Sequence, residues 1–156
     1  MFSIIAAIGK KRELGKGGNL VFHLKDDMKF FRETTTGHKV VMGRKTWDSL
    51  PHKLPNRTNI VISSHNILDA DEHFFSIEEF LKKYEDTNEE IFIIGGASIY
   101  NAFLPYAKNL YLTEIDSATD ADVFFPDFNK SDYSKEVIKK GKEDELDYSI
   151  VKYTKK

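Results

Sequence analysis

Asp26 and Asp27 lie side by side in HLKDDMKFF, residues 23–31, among apolar and aromatic neighbours. On a helix, adjacent residues point about 100° apart, so the two carboxylates cannot share one environment. With Leu24 at 0°, Met28 falls at about 40°, Phe31 at about 340° and Phe30 at about 240°. The apolar arc then centres at about 340°, with Asp27 at about 300° and Asp26 at about 200°, beside Glu33. Asp27 is therefore the carboxylate pressed towards the interior. Asp26 reads as an ordinary first-turn acid favoured by the helix dipole. A buried carboxylate is costly unless paired. It needs a protein cation, a buried hydrogen-bond network or a ligand cation, and a structural salt bridge is the plain alternative to a functional role.

Two strand-to-helix junctions carry a second kind of chemistry. In VVMGRKT, Gly43 lets a ligand approach the backbone, and the next helix offers free N–H groups. Arg44, Lys45 and Thr46 add positive charge and a hydroxyl, as a phosphate site requires. A helix start with solvated Arg and Lys would look the same. In IFIIGGASIY, Gly95 and Gly96 follow a strand and open a helix, which suits a pyrophosphate or a flat ring against backbone, or a tight turn that merely needs glycine. The G-x-G-x-x-G fingerprint is absent, so this is not an ordinary Rossmann motif. In IVISSH, Ser63, Ser64 and His65 could hold a phosphate or ribose near Arg44, and a merely hydroxyl-rich strand end would look the same. Two such junctions in one small sheet point to a dinucleotide.

The elements that must position these groups alternate along the chain. FSIIAAI (2–8), KVVMG (39–43), TNIVISS (58–64), IFIIGG and NLYLTEI (109–115) read as strands, the first a continuous apolar run buried on both faces. LKDDMKFFRETT (24–35), RKTWDSL, SIEEFLKKY and ASIYNAFL have helical spacing. The third carries a capping box, Ser76 with Glu79, and the second ends at Pro51. Trp47 is expected to pack its short helix onto the sheet. GKKRELGKGGN (9–19) reads as a polar, glycine-rich loop. SKEVIKK and LDYSIVKY read as an antiparallel hairpin, with KKGKEDELD a solvated turn. The sum is an open α/β sheet, mostly parallel, with an antiparallel C-terminal edge.

Bulk properties narrow the function. A length of 156 residues fits one domain, 1–156. A net charge of −2 gives no support for a nucleic-acid partner or an anionic membrane surface. There is no cysteine for disulfide or thiolate chemistry. The apolar runs fall short of the roughly 20 residues of a membrane helix. No positive segment precedes the first of them, so it does not read as a signal peptide. The five histidines are scattered without ligand spacing, and no metal site is indicated. A cytoplasmic enzyme or binding domain is the natural expectation.

Taken together, IIAAIG, LKDDMKFF, VVMGRKTWDSLP, LPNRTNIVISS, IIGGASIYNAFLP, LYLTEID and ADVFFPDF strongly resemble the dihydrofolate reductase family. Their order and spacing match from Met1 to the C-terminal hairpin. The resemblance implies one domain with a central mixed, mostly parallel eight-stranded sheet and about four flanking helices. It implies hydride transfer from NADPH to the pteridine ring of 7,8-dihydrofolate, with protonation of the adjacent nitrogen. The product, tetrahydrofolate, supports one-carbon metabolism and thymidylate synthesis.

Site residues follow from the same resemblance. Asp27 matches the single acid of the pterin pocket, which hydrogen-bonds the 2-amino group and the N3 side of the ring. The proton reaches N5 by way of water, because the acid is too far for direct transfer. Thr113 matches the hydroxyl that supports the acid. Ile5, Ala6 and Ala7 flank the pterin and nicotinamide, and Met28, Phe31, Leu50 and Leu54 match the walls around the pterin and benzoyl rings. Arg57, with Arg32 nearby, matches the clamp on the glutamate α-carboxylate, a planar fork for a planar acid. Arg44, Ser63, Ser64 and His65 match the surroundings of the adenosine 2′-phosphate, which favours NADPH over NADH. Lys45, Thr46, Ala97, Ser98 and Ile99 match positions near the pyrophosphate. Ile94 and Tyr100 flank the nicotinamide. Leu14, Gly15, Asn19, Leu20, Gly43 and Ile62 complete the cofactor groove, and the Gly95-Gly96 bond is expected to be cis. Antifolate inhibitors are expected ligands, and a monomer is the implied state.

The sequence also departs from the family pattern. Val21-Phe22 stands where many members carry Pro-Trp, and Phe22 cannot donate the indole hydrogen bond that helps hold a water near the acid. Lys25 replaces a frequent proline. GKGGN makes the loop ending near Leu20 unusually glycine-rich, which predicts flexibility. A reductase of a riboflavin precursor shares the fold and cofactor but should lack both Asp27 and Arg57. A noncatalytic folate- or nucleotide-binding domain is favoured only by the altered Val21-Phe22.

Overall fold

In the computed structural model, which describes residues Met1–Lys156, the continuous apolar runs are the inner strands. FSIIAAI forms β1 (Phe2–Ile8). Ile4 belongs to the larger core cluster and Ile5 to a second one, since successive side chains point to opposite faces. The larger cluster holds Phe80 and Phe103, from α3 (Ile77–Tyr84) and α4 (Ala97–Phe103). The second holds Val40, Met42, Val61 and Phe92, against Phe30 and Phe31 of α1 (Lys25–Thr35) and Trp47 of α2 (Arg44–Ser49). Trp47 thus packs its short helix on the sheet as expected. Ser76 caps α3 by accepting from the Glu79 N–H at 3.1 Å.

The remaining strands of the main sheet are β4 (Lys39–Gly43), β5 (Thr58–Ile62), β6 (Glu72–Phe74), β7 (Ile91–Gly95), β8 (Ala107–Ile115), β10 (Tyr133–Glu143) and β11 (Leu146–Lys155). Their order is β10-β11-β8-β1-β7-β4-β5-β6. β1 pairs in parallel with β7 and β8, while β11 pairs antiparallel with β8 and β10. This is the mixed eight-stranded sheet with an antiparallel C-terminal pair that the motifs imply. β5 ends at Ile62, so Ser63 and Ser64 lie beyond the strand in which the sequence pattern includes them.

Residues 9–19 depart from the expected loop. They contain β2 (Glu13–Lys16) and lead into β3 (Asn19–Leu20), joined with β9 (Val123–Phe124) in a small sheet of order β3-β2-β9. The β2–β3 turn is Gly17-Gly18, with φ of +60° and +84°. A two-residue turn of this hand needs positive φ at both positions, which glycine adopts without strain.

Glu13 anchors this small sheet and was not singled out by the sequence pattern. It is only 1% exposed. Its Oε1 accepts from the Lys11 N–H at 2.6 Å and its Oε2 from the Thr119 N–H at 2.7 Å. Burial pushes its carboxyl pKa up, but the backbone bonds from Thr119 and Lys11 outweigh that, and the net shift is downward. Its stabilisation is therefore full above the ordinary glutamate pKa and lost as pH falls through the lowered value. Glu13→Ala strands both N–H groups, and we expect a loss of about 1–3 kcal/mol in urea unfolding at neutral pH.

The C-terminal hairpin also differs in detail. Its turn is Asp144-Glu145, at φ of 52° and 66°, with Glu143 paired to Leu146. Gly141 is not in the turn. It lies in β10 opposite Tyr148, where a Cβ would stand 2.4 Å from the tyrosine oxygen. The tyrosine ring occupies the space that the missing side chain leaves.

Candidate active site

Helical phase and sheet register bring Asp27 to Thr113. Ala7 of β1 pairs with Thr113 of β8, which is 1% exposed. Above that pair, Asp27 is half-buried and its Oδ1 accepts from the Thr113 hydroxyl at 2.6 Å. Asp27 joins no ion pair. Burial raises its pKa above the usual aspartate value. The Thr113 bond opposes the rise, and the negative charge of Glu143 adds to it. The carboxyl thus holds a proton more readily than an exposed aspartate.

Asp26 is a first-turn acid as expected, and it has a partner besides the helix dipole. It is half-buried, and its Oδ2 accepts from the Tyr148 hydroxyl at 2.5 Å. That bond, with burial, pushes the Tyr148 hydroxyl up to about 12. KKGKEDELD is not merely a solvated turn, since both oxygens of Glu143 accept backbone N–H groups from α1.

Beside Asp27 lies an apolar wall. Ile5 is buried, and Phe31, Leu50, Leu54 and Ile94 pack around its cluster. Met28 is 60% exposed, at the rim of the arc rather than inside it. Past Phe31 stands Arg57, with its guanidinium 5.9 Å from the ring centroid. Arg57 donates from Nη1 to the Thr35 hydroxyl and from Nε to the Pro55 carbonyl, both at 3.0 Å. Burial and the nearby Arg32 lower its pKa. Neither arginine joins an ion pair, so two cations border this end of the wall without a carboxylate between them.

The loop that carries Arg57 is held by Asn59, a residue the sequence reading passed over. Asn59 is fully buried. Its amide donates to the Leu54 and Arg57 carbonyls and accepts from the Leu54 N–H, while its own N–H donates to Asp71. The available signal was an asparagine inside the apolar strand TNIVI, which requires internal partners.

The two glycine junctions meet. A Cβ on Gly43 would stand 3.1 Å from Ile99 of α4, so β4 and α4 approach closely only because the side chain is missing. Gly95 has φ of +128°, and its peptide with Gly96 is cis. A Cβ on Gly96 would meet only the Thr46 hydroxyl, at 3.8 Å, and otherwise open space. Tyr100 closes the inner side by donating to the Ile5 and Ile94 carbonyls at 2.8 and 2.9 Å. Its hydroxyl pKa is raised by burial, then by the charge of Asp27.

Arg44 and Lys45 are exposed at the start of α2, with Ser98 exposed and Ala97 half-buried at the start of α4. Ser64 and His65 are also exposed, and the Ser63 hydroxyl accepts from the His65 N–H at 3.1 Å. Ile62 is buried beneath them. This cleft of backbone, hydroxyl and cations fits the phosphates of a dinucleotide.

The remaining sequence-named residues lie around β2 and β1. Leu14 is buried in the main core, and Ala6 packs against it. The Gly15 carbonyl accepts from the Asp122 N–H at 2.9 Å, while Asn19 and Leu20 are exposed. Phe22 joins Ala7 in packing against Leu24, Ile115, Tyr148 and Ile150. Its ring would stand 2.9 Å from a Cβ on Gly9, so it fills space and donates no bond.

Comparison with known proteins places the chain in a family. The family model for dihydrofolate reductase matches residues 1–155. The chain is 38% identical to the dihydrofolate reductase of Bacillus subtilis (strain 168), covering 100% of this chain and 95% of that protein. It is also 38% identical to that of Haemophilus influenzae, covering 92% and 90%. Among solved structures, dihydrofolate reductase from Enterococcus faecalis, complexed with NADP(H) and RAB-propyl, superposes with a TM-score of 0.88. That match has 31% identity and covers 99% of this chain and 96% of the other. With the family model spanning residues 1–155 and relatives this similar over nearly their whole length, the chain belongs to the dihydrofolate reductase family.

Proposed function

We propose that this chain, as one domain spanning 1–156, reduces 7,8-dihydrofolate to 5,6,7,8-tetrahydrofolate with NADPH and so supports one-carbon metabolism and thymidylate synthesis. The observation that carries the reading is Asp27, a half-buried carboxylate with a hydroxyl partner and no protein cation. A flat heterocycle with adjacent donors supplies what it lacks. Asp27 binds the 2-amino group and N3 side, while Thr113 fixes its orientation. Its raised pKa brings the ring–carboxyl pair closer to protonation at working pH. Ile5, Phe31, Leu50, Leu54 and Ile94 exclude water from the rings, and Met28 gains cover when substrate is bound. Arg57, assisted by Arg32, takes the glutamate α-carboxylate.

Bound NADPH supplies the hydride. Thr46 and the backbone at Gly43, Gly95 and Gly96 hold its pyrophosphate, with Lys45, Ala97, Ser98 and Ile99 beside them. Arg44, Ser63, Ser64 and His65 take the 2′-phosphate. Ala6, Ala7, Tyr100, Leu14, Gly15, Asn19, Leu20 and Ile62 shape the rest of the groove, and antifolates compete for the pterin wall. Phe22 fills space with Ala7 against Leu24 and has no N–H to donate towards a water. We also place the protein in the cytoplasm as a monomer. No helix is long and apolar enough to cross a membrane. Supporting the monomer, the edge strand β10 carries exposed Lys135, Lys139 and Lys140, and the other edge, β6, is only 3 residues long.

The test is the dihydrofolate-dependent absorbance loss of NADPH with purified protein. We expect turnover with NADPH, weaker use of NADH, and a narrowed preference in Arg44→Ala, by about tenfold for one charged bond of about 1.5 kcal/mol. No dihydrofolate-dependent oxidation overturns the reading.

A further inference from the structure

The catalytic helix does not cap itself. Leu24 stands at the cap position and offers no side-chain bond. The first two N–H groups of α1, from Lys25 and Asp26, instead donate to the two oxygens of Glu143 at 2.7 and 3.0 Å. This cap comes from β10, far along the chain. A proline at position 25, frequent in the resembling family, has no N–H to offer. Lys25 has one, and Glu143 meets it. Beside this bond, Tyr148 of β11 donates to the Asp26 carboxylate at 2.5 Å, across the space left by Gly141. Two strands of one hairpin thus grip the first turn of the helix that bears Asp27.

We propose that Glu143 is a positioning residue for dihydrofolate reduction, capping the catalytic helix from the C-terminal hairpin and setting the charge environment of Asp27. The inference rests on the role proposed above for Asp27. Within the field of Asp27 lie Thr113 from β8, Tyr100 from α4, Tyr148 from β11 and Glu143 from β10. On α1 itself stand Asp26 and the exposed Lys25, with exposed His23 just before it. Glu143 is the charged side chain that acts on Asp27 from outside the helix, and its sign opposes ionisation. It also offsets the positive end of the helix, which would otherwise favour the Asp27 anion.

Three variants separate the cap from the charge. Glu143→Gln keeps the shape and an acceptor but removes the charge. Glu143→Ala removes both, and Lys25→Pro added to Glu143→Ala deletes one stranded N–H at a helical position that suits proline. We expect the Asp27 carboxyl, followed by carbon NMR in the protein without ligands, to titrate at lower pH in Glu143→Gln. The pH midpoint of single-turnover hydride transfer should fall with it, while KM for dihydrofolate stays within about twofold, or about 0.4 kcal/mol, because Glu143 is not part of the wall that binds the substrate. Lys25→Pro should restore thermal stability to Glu143→Ala without restoring the pH midpoint. An Asp27 titration and a rate profile both unchanged in Glu143→Gln overturn the proposal. A shifted Asp27 titration in a protein that does not reduce dihydrofolate leaves the positioning by Glu143 intact and removes the assigned reaction instead.

Discussion

Asp27→Asn lowers kcat for dihydrofolate reduction by about 10²–10⁴-fold, the range that a positioned acid–base group contributes. The amide preserves the shape, and its oxygen still accepts from Thr113, so the loss reports on charge and proton affinity. Asp26→Asn, one residue away, should cost less than about tenfold, since Tyr148 retains an acceptor and the substrate wall is untouched. Steady-state kinetics on the pair decides the matter, and equal mild losses remove Asp27 from its assigned role. Stability should move the other way. The Asp27 pKa is raised in the folded protein, chiefly by burial. The folded state therefore carries a penalty that is absent below the unfolded aspartate pKa and develops as pH rises through the folded value. Asp27→Asn escapes it, so the variant melts higher than the native protein at neutral pH and equally at acidic pH.

Arg57→Ala raises KM for dihydrofolate by about 10–150-fold, as expected for a charged bond of about 1.5–3 kcal/mol, and leaves kcat nearly unchanged. The change is local. Thr35 loses the guanidinium but keeps its own hydrogen bond to the Phe31 carbonyl at 2.7 Å, so α1 stays anchored. Arg57→Lys should recover only part of the loss, because a point charge cannot match a planar carboxylate with two parallel bonds. The glutamate-free pterin provides the control, since its KM should be indifferent to both substitutions. An unchanged KM for dihydrofolate in Arg57→Ala removes the clamp.

Local pattern made some of this site legible and distance hid the rest. Asp27 could be separated from Asp26 because helical phase is a property of neighbours. The strand-to-helix junctions were legible because glycine at the end of a buried strand, directly before a helix, is a local pattern in both VVMGRKT and IFIIGGASIY. The mixed sheet followed from apolar runs and their spacing. Glu13, Glu143 and Tyr148 were not legible, because each has its decisive partner on a remote segment: Thr119, the start of α1, and Asp26. A carboxylate in a charged stretch looks solvated until the fold brings donors to it. Gly141 misled for the same reason. Glycine beside charged residues suggests a turn, yet its use here is to make room for a ring from the opposite strand. Asp26 reads as an ordinary first-turn acid because a helical angle takes no account of the neighbouring hairpin.

The strand order has a consequence for synthesis on the ribosome. β1 is made before both of its neighbours in the sheet, since β7 and β8 begin after residue 90. Its apolar edges must wait for them. At roughly 5–20 residues per second, that delay is on the order of 5–20 s. Through that interval the nascent chain exposes FSIIAAI, a run with high strand propensity and no charge. Expression yield should therefore respond to translation speed and to chaperones that shield the emerging segment, even though the finished sheet leaves β1 with no free edge.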